Sequence, residues 1–197
     1  MRPTLPTSDL DFVLTHTQSF WQQFNGARMF VTGGTGFIGA WLLEVIQHAN
    51  RQLSAGMEVV VLSRNPDVAR AVAPHLFSDL PIQLIAGDVR CFSSPAGTFD
   101  LFIHAAGDVG DGAKAGDHAQ VFDAAIAGTR RVLDLALASC ARRFLLTSSG
   151  AVYGVQPTQL SKVSETYTGA PDPLDVNAAY GNGKRAAEWL CAVASSR

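Results

Sequence analysis

Val31-Thr-Gly-Gly-Thr-Gly-Phe-Ile-Gly39 decides how this chain is read. A short apolar run, Met29 to Val31, precedes it, and an amphipathic segment over 37–48 follows it. Strand, glycine turn, helix is the context a dinucleotide fingerprint requires. Gly33, Gly36 and Gly39 occupy G-x-x-G-x-x-G positions, one residue longer than the G-x-G-x-x-G form. The physical jobs are similar in the two forms. Bare backbone at the tight turn lets a pyrophosphate approach, and the N–H groups and positive end of the following helix receive it. A glycine-rich βα turn that binds nothing looks the same locally, so the remainder of the chain must discriminate.

Outward from this stretch, the pattern alternates. Residues 58–62, 82–86, 99–104 and 142–147 read as further strands; Val59-Val-Val-Leu62 is a continuous apolar run of the kind buried in parallel sheets. Between them lie helical segments over 66–73, started by Pro66, and over 117–139, where Phe122, Ile126, Thr129, Leu133, Ala136, Leu137 and Cys140 recur at three and four. A last helix begins near 177, after a long loop over 154–176 that carries Pro157, Pro171 and Pro173. Upstream, Leu10, Val13, Leu14, Trp21 and Phe24 predict one helix over 8–24, N-capped by Ser8 and packed on the outside of the domain. Strands alternating with helices predict an α/β fold: a doubly wound, Rossmann-like parallel sheet with right-handed crossovers, in three αβα layers. The division is an N-terminal helical extension, 1–26, and a nucleotide-binding domain, 27–197. Ligands of such sheets bind beyond the carboxyl ends of the strands. The Gly33 turn, Arg64, Asp88, Ala105 and Ser149 all follow strand ends and should therefore converge.

Composition narrows the function. A chain of 197 residues with 47% apolar residues suits one domain with a sizeable core. Its formal charge of −2 gives no reason to expect nucleic acid or an acidic membrane surface, so any anion site must be local. Cys91, Cys140 and Cys191 are scattered and odd in number, which argues against a disulfide framework or zinc and fits a cytoplasmic protein. No signal-peptide pattern opens the chain, and no apolar run reaches the roughly 18 residues that span a membrane. The polar loop over 108–116 contains Asp residues, but their spacing fails the calcium-loop pattern, so no metal is expected.

Tyr180-Gly-Asn-Gly-Lys184 sets a phenol and an ammonium four apart on one helix face. A nearby positive charge favours phenolate, and a tyrosine so placed can exchange a proton with an alcohol or carbonyl. The bland alternative is a surface pair in which Lys184 faces Glu188. Ser148 and Ser149 follow the fifth strand; either hydroxyl can bond a reacting oxygen, or the pair is a serine-rich turn.

Five motifs occur in one order: Thr32-Gly-Gly-Thr-Gly-Phe-Ile-Gly39, Gly87-Asp88-Val89, His104-Ala-Ala-Gly107, Thr147-Ser-Ser-Gly-Ala-Val-Tyr-Gly154 and Tyr180-x-x-x-Lys184. Together they strongly resemble the extended short-chain dehydrogenase/reductase family, in particular its NAD-dependent epimerase/dehydratase branch, from about Ala27 onward. The resemblance implies that Gly33, Thr35, Gly36, Phe37, Ile38 and Gly39 line the pyrophosphate site. It implies that Asp88 and Val89 hold the adenine, and that Ala105, Ala106, Gly107 and Thr147 run along the cofactor. Tyr180 becomes the general acid or base, Lys184 the residue that binds the nicotinamide ribose and tunes Tyr180, and Ser149 the catalytic serine, with Ser148 next. The implied activity is that of an NAD(P)-dependent epimerase or ketoreductase on a sugar nucleotide or similar polyol. A homodimer through the Phe122 and Tyr180 helices is also implied, unless those faces are core.

The chain departs from the family pattern in three places. Ala125-Ile-Ala-Gly-Thr129 lacks the asparagine of N-V-x-G-T. The second strand ends in Ser63-Arg64 rather than a carboxylate, which favours the 2′-phosphate of NADP over the bare ribose of NAD. Ser148-Ser149 stand where sugar-nucleotide 4,6-dehydratases carry Asp-Glu, which disfavours dehydration. Family members continue for a further hundred or more residues, so the expected chain is the cofactor half, with its substrate region missing. An alternative from another class is a non-catalytic nucleotide-binding module or redox sensor. Retention of Tyr180, Lys184 and Ser149 together argues against that class.

Overall fold

The structure, a computed structural model, describes residues 1–77, 82–107 and 117–196. Five strands, β1 (Arg28–Thr32), β2 (Glu58–Ser63), β3 (Ile82–Ala86), β4 (Leu101–His104) and β5 (Arg143–Leu146), form one sheet in the order β3-β2-β1-β4-β5. Every pairing is parallel; Val31 stands between Val61 and Ile103. Strand order reverses at β1. The chain first winds outward to β2 and β3, then crosses to β4 and β5, and the split leaves a crevice beyond the carboxyl ends of β1 and β4.

Period-two alternation sorts the strand side chains onto two cores. Val59 and Val61 face one side with Leu43, Ile46 and Met57. Val60 and Leu62 face the other, where Phe30, Phe92, Phe99, Phe102 and Val132 pack together. Helix α3 (Phe37–Leu53) covers the first face, and α6 (His118–Ala138) covers the second. The short helices α4 (Pro66–Val72) and α5 (Pro74–Phe77) link β2 to β3, and Pro74 separates them because a proline cannot continue the preceding turn. Helix α7 (Ala179–Ser195) lies against α6. The doubly wound, three-layer arrangement expected from the alternation is the arrangement found.

Two local expectations are corrected. The N-terminal helix is two helices, α1 (Thr7–His16) and α2 (Gln18–Gln23), parted at Thr17. There the Thr17 hydroxyl donates to the Val13 carbonyl at 2.6 Å and accepts from the Trp21 indole at 2.8 Å. Ser8 does not cap; α1 starts one residue earlier, after Pro6, and the Ser8 hydroxyl donates to Asp9. Leu10, Leu14, Trp21 and Phe24 are buried in the same core as α3. In α6 the buried stripe runs through Ala124, Gly128, Thr129, Val132, Leu133, Leu135 and Ala136, whereas Phe122, Leu137 and Cys140 are exposed. Close packing of α7 selects the small residues: a Cβ placed on Gly183 would lie 3.0 Å from the Ala125 Cβ. Ala125, where the family pattern has asparagine, therefore serves helix approach.

No helix among the described residues is long and apolar enough to cross a membrane. The 108–116 loop, on which the calcium question fell, lies outside the described residues.

β5 is the partly covered edge: Leu145 is 53% exposed, while Phe102 on β4 is buried. Phe102→Ala should accordingly cost about 3–5 kcal/mol in urea denaturation, and Leu145→Ala less than about 1 kcal/mol.

Candidate active site beyond the strand ends

The ends of β1 and β4 are tied together by side chain and backbone. Thr32 Oγ1 lies 2.6 Å from His104 Nδ1 and accepts from the Ala106 N–H at 3.2 Å, and Ala105 N–H donates to the Thr32 carbonyl at 3.0 Å. Gly33 turns directly against this junction with φ +72°; a Cβ there would sit 2.4 Å from the Ala105 carbonyl. Steric exclusion and the left-handed φ both demand glycine. The turn closes through Gly36 N–H to the Gly33 carbonyl at 3.0 Å. Gly39 acts one turn into α3, where a Cβ would lie 2.2 Å from the Gly33 carbonyl oxygen. It permits helix and turn to touch.

A cleft opens above this junction. Gly33, Thr35, Gly36, Ser63, Arg64, Asp88, Val89, Ala105, Ala106 and Gly107, contributed by the ends of four strands, all line it. Phe37 and Ile38 do not: their side chains are exposed on the first turn of α3, outside the lining. Thr32, Leu62, Gly87, Arg90 and Ala124 line the cleft as well, beyond the residues assigned to the cofactor from sequence. Arg90 is the consequential one. Its guanidinium grips Asp88 with two bonds, 2.8 and 2.9 Å, and its backbone N–H adds a third at 2.9 Å. These bonds, led by the side-chain pair and helped by the nearby Arg64 charge, hold the Asp88 carboxyl below the usual carboxylate range. The signal for Arg90 was its place two residues after Asp88, where a side chain can fold back onto the strand end.

Beside the cleft lies a second group, at the end of β5. Lys184 is buried and donates to the Thr147 carbonyl at 2.9 Å. Burial pushes its pKa below the usual lysine range, with Cys191 and Glu188 pulling the other way. The Tyr180 ring, half-buried, has its centroid 6.0 Å from Lys184 Nζ, and among the described residues its hydroxyl makes no hydrogen bond. Glu188 takes the hydroxyl of exposed Ser148, not the Lys184 ammonium. Ser149 accepts from the Ala151 N–H at 3.2 Å, a bond that leaves its own proton available. The two serines are thereby distinguished: the Ser148 hydroxyl donates its hydrogen bond to a carboxylate, and the Ser149 hydroxyl does not. Thr147, Ser148, Ser149, Tyr180 and Lys184 fall outside the lining of the cleft and border it along the strand order.

Between the two groups sits His104, 1% exposed, with Nε2 3.1 Å from Thr129 Oγ1 on α6. Burial, aided by the Lys184 charge, lowers its pKa to about 3, so the imidazole is neutral at working pH.

A family model described as the NAD dependent epimerase/dehydratase family matches residues 29–197. The chain belongs to that family. Among its curated relatives, UDP-glucuronic acid decarboxylase 2 of Arabidopsis thaliana is 33% identical over 165 residues, which are 84% of this chain and 35% of that protein. UDP-glucose 4-epimerase of Klebsiella pneumoniae is 28% identical over 138 residues, 66% of this chain and 94% of its own. The fold is shared with the UDP-Glc/GlcNAc 4-epimerase of Campylobacter jejuni (TM-score 0.67, 20% identity, 86% of this chain and 49% of that one). It is shared likewise with the UDP-glucuronic acid 4-epimerase of Bacillus cereus, solved with NAD (TM-score 0.67, 22% identity, 86% and 53%). The chain spans about a third of the length of the plant decarboxylases it matches and about half of these solved chains.

The neutral His104 of this family member has a measurable consequence. Below about pH 6.5 the unfolded chain binds a proton that the folded chain refuses until about pH 3, so stability is intact above 6.5 and falls as pH drops through that window. Chemical denaturation should show wild type losing about 2 kcal/mol more than His104→Asn between about pH 7.5 and about pH 5.

Proposed function

We propose that the chain is the cofactor-binding portion of an NAD(P)-dependent enzyme that epimerises or reduces a sugar nucleotide or similar polyol. In this proposal residues 1–26 are an extension and 27–197 the nucleotide-binding domain. The observation that carries it is the pairing of a glycine-floored cleft with Tyr180, Lys184 and Ser149 beside its far end.

The residues fit a dinucleotide. Side chains are excluded at Gly33, where a pyrophosphate must approach, and the start of α3 opens onto the same turn. Ser63, Arg64, Asp88 and Val89 surround the adenosine end, and Ala105 to Gly107 floor the middle. When bound, the nicotinamide accepts and returns hydride. Tyr180 takes the proton of the substrate hydroxyl as that carbon is oxidised and gives it back on reduction. The buried Lys184 ammonium, held near the ring, stabilises the phenolate side of that exchange. Ser149, whose own proton is available, donates to the reacting oxygen. Arg64, in place of a carboxylate at the end of β2, favours NADP over NAD. Relatives named as UDP-sugar epimerases and decarboxylases support a sugar nucleotide as substrate without choosing among reactions on it. Exposed Phe122 and Leu137 on α6 and Trp189 on α7 support a homodimer through these helices.

Tyr180→Phe is expected to reduce hydride transfer at least about a hundredfold while leaving dinucleotide affinity within about twofold. Absorbance of the reduced nicotinamide with a UDP-sugar substrate, in the full-length protein, reads the first. Calorimetry reads the second. Unchanged turnover in that variant would remove Tyr180 from the mechanism.

A further inference from the structure

Next to the cleft lies a second cavity, and the two share Thr35, Ser63 and Arg64. It occupies the angle between the end of β2 and helices α4 and α5. One wall is apolar, formed by Val68, Val72 and Leu76 among others. Its polar lining includes Thr35, Ser63, Arg64, Asn65 and, from the N-terminal arm, Arg2. That arm precedes residues 29–197, the part of the chain that matches the family.

Arg2 is held there by two bonds. Its backbone N–H donates to the Val72 carbonyl at 2.7 Å, at the end of α4, and its Nη1 donates to the Gly36 carbonyl at 3.1 Å, at the cap of α3. The arm is secured further along. Leu5 N–H donates to the buried Glu44 carboxylate at 2.7 Å, and Asp11 pairs with the buried His48 at 2.7 Å. The guanidinium is therefore anchored beside the glycine turn.

The second cavity's lining includes two guanidinium groups, Arg2 and Arg64. The nearest acid of the adjoining cleft, Asp88, is already gripped by Arg90. Two arginines and the Thr35 and Ser63 hydroxyls lining one cavity, continuous with the adenosine end of a dinucleotide cleft, match a phosphomonoester on the adenosine ribose.

We propose that Arg2 and Arg64 together form the binding site for the 2′-phosphate of NADP, so that the N-terminal arm completes a cofactor-specificity site. The proposal rests on the dinucleotide reading of the cleft given above.

Calorimetric titration of the full chain with NADP⁺ and with NAD⁺ tests it, on wild type, Arg2→Ala, Arg2→Lys and Arg64→Ala. NAD⁺, which lacks the 2′-phosphate, serves as the internal control for folding of the arm. Arg2→Ala should weaken NADP⁺ about tenfold and NAD⁺ less than about twofold, and Arg2→Lys should recover part of the loss. Equal weakening of both cofactors, or an unchanged NADP⁺/NAD⁺ ratio in Arg2→Ala, would overturn the role of Arg2. If Arg64→Ala still shifted the ratio in that case, the NADP preference would stand without the arm. Failure of wild type to bind either dinucleotide would overturn the cleft reading and this proposal together.

Discussion

The bond between Thr32 Oγ1 and His104 Nδ1 holds the ends of β1 and β4 in register at the point where strand order reverses. Parallel strands alone would bring these ends near each other. The hydroxyl and imidazole fix how near, and Thr32 also receives the Ala106 N–H, so the backbone after β4 is pulled across the top of β1. Gly33 then has no room for a side chain. The bare floor of the cleft is the result of that crowding. His104 transmits the same constraint to α6 through Thr129, and α6 in turn is packed by α7, which carries Tyr180 and Lys184. One buried imidazole thus links the glycine turn to the helix that carries Tyr180 and Lys184.

Much of this could be read along the chain. Apolar runs at Met29–Val31 and Val59–Leu62, separated by glycine turns and amphipathic stretches, dictated the sheet, because a strand buried on both faces has no polar alternation to show. The cleft residues at strand ends followed from the topology. What could not be read were contacts between residues far apart in sequence whose types are unremarkable by themselves. Arg90 forks onto Asp88, a contact that its residue type does not announce. Arg2 lies more than thirty positions from Gly36, which accepts its side chain's bond. Thr17 breaks the first helix because its hydroxyl is taken by Val13 and Trp21, a competition that spacing alone does not reveal. Phe122 and Leu137 fit a helical stripe equally well, yet the buried stripe is the neighbouring one through Ala124, Gly128, Val132, Leu133 and Leu135.

The two ends of the site differ in charge. Among the described residues lining the cleft and the neighbouring cavity, Arg2, Arg64 and Arg90 accompany one carboxylate, Asp88, which Arg90 pairs. At the β5 end a single buried ammonium sits on a backbone carbonyl and beneath a phenol. A near-neutral chain can therefore bind an anion at one place without attracting polyanions generally, in keeping with the formal charge of −2.

The central claim is that a nicotinamide dinucleotide lies across the carboxyl ends of β1 to β4. Backbone amide shifts on titration with NADP⁺, followed by nuclear magnetic resonance, test it most directly. The account predicts the largest changes at Gly33 to Gly36, at Gly87 to Val89 and at Ala105 to Gly107, with smaller ones around Tyr180 and Lys184. Shifts absent from all three strand-end segments at saturating nucleotide, or confined to the far edge near Cys140 and Cys191, would contradict it.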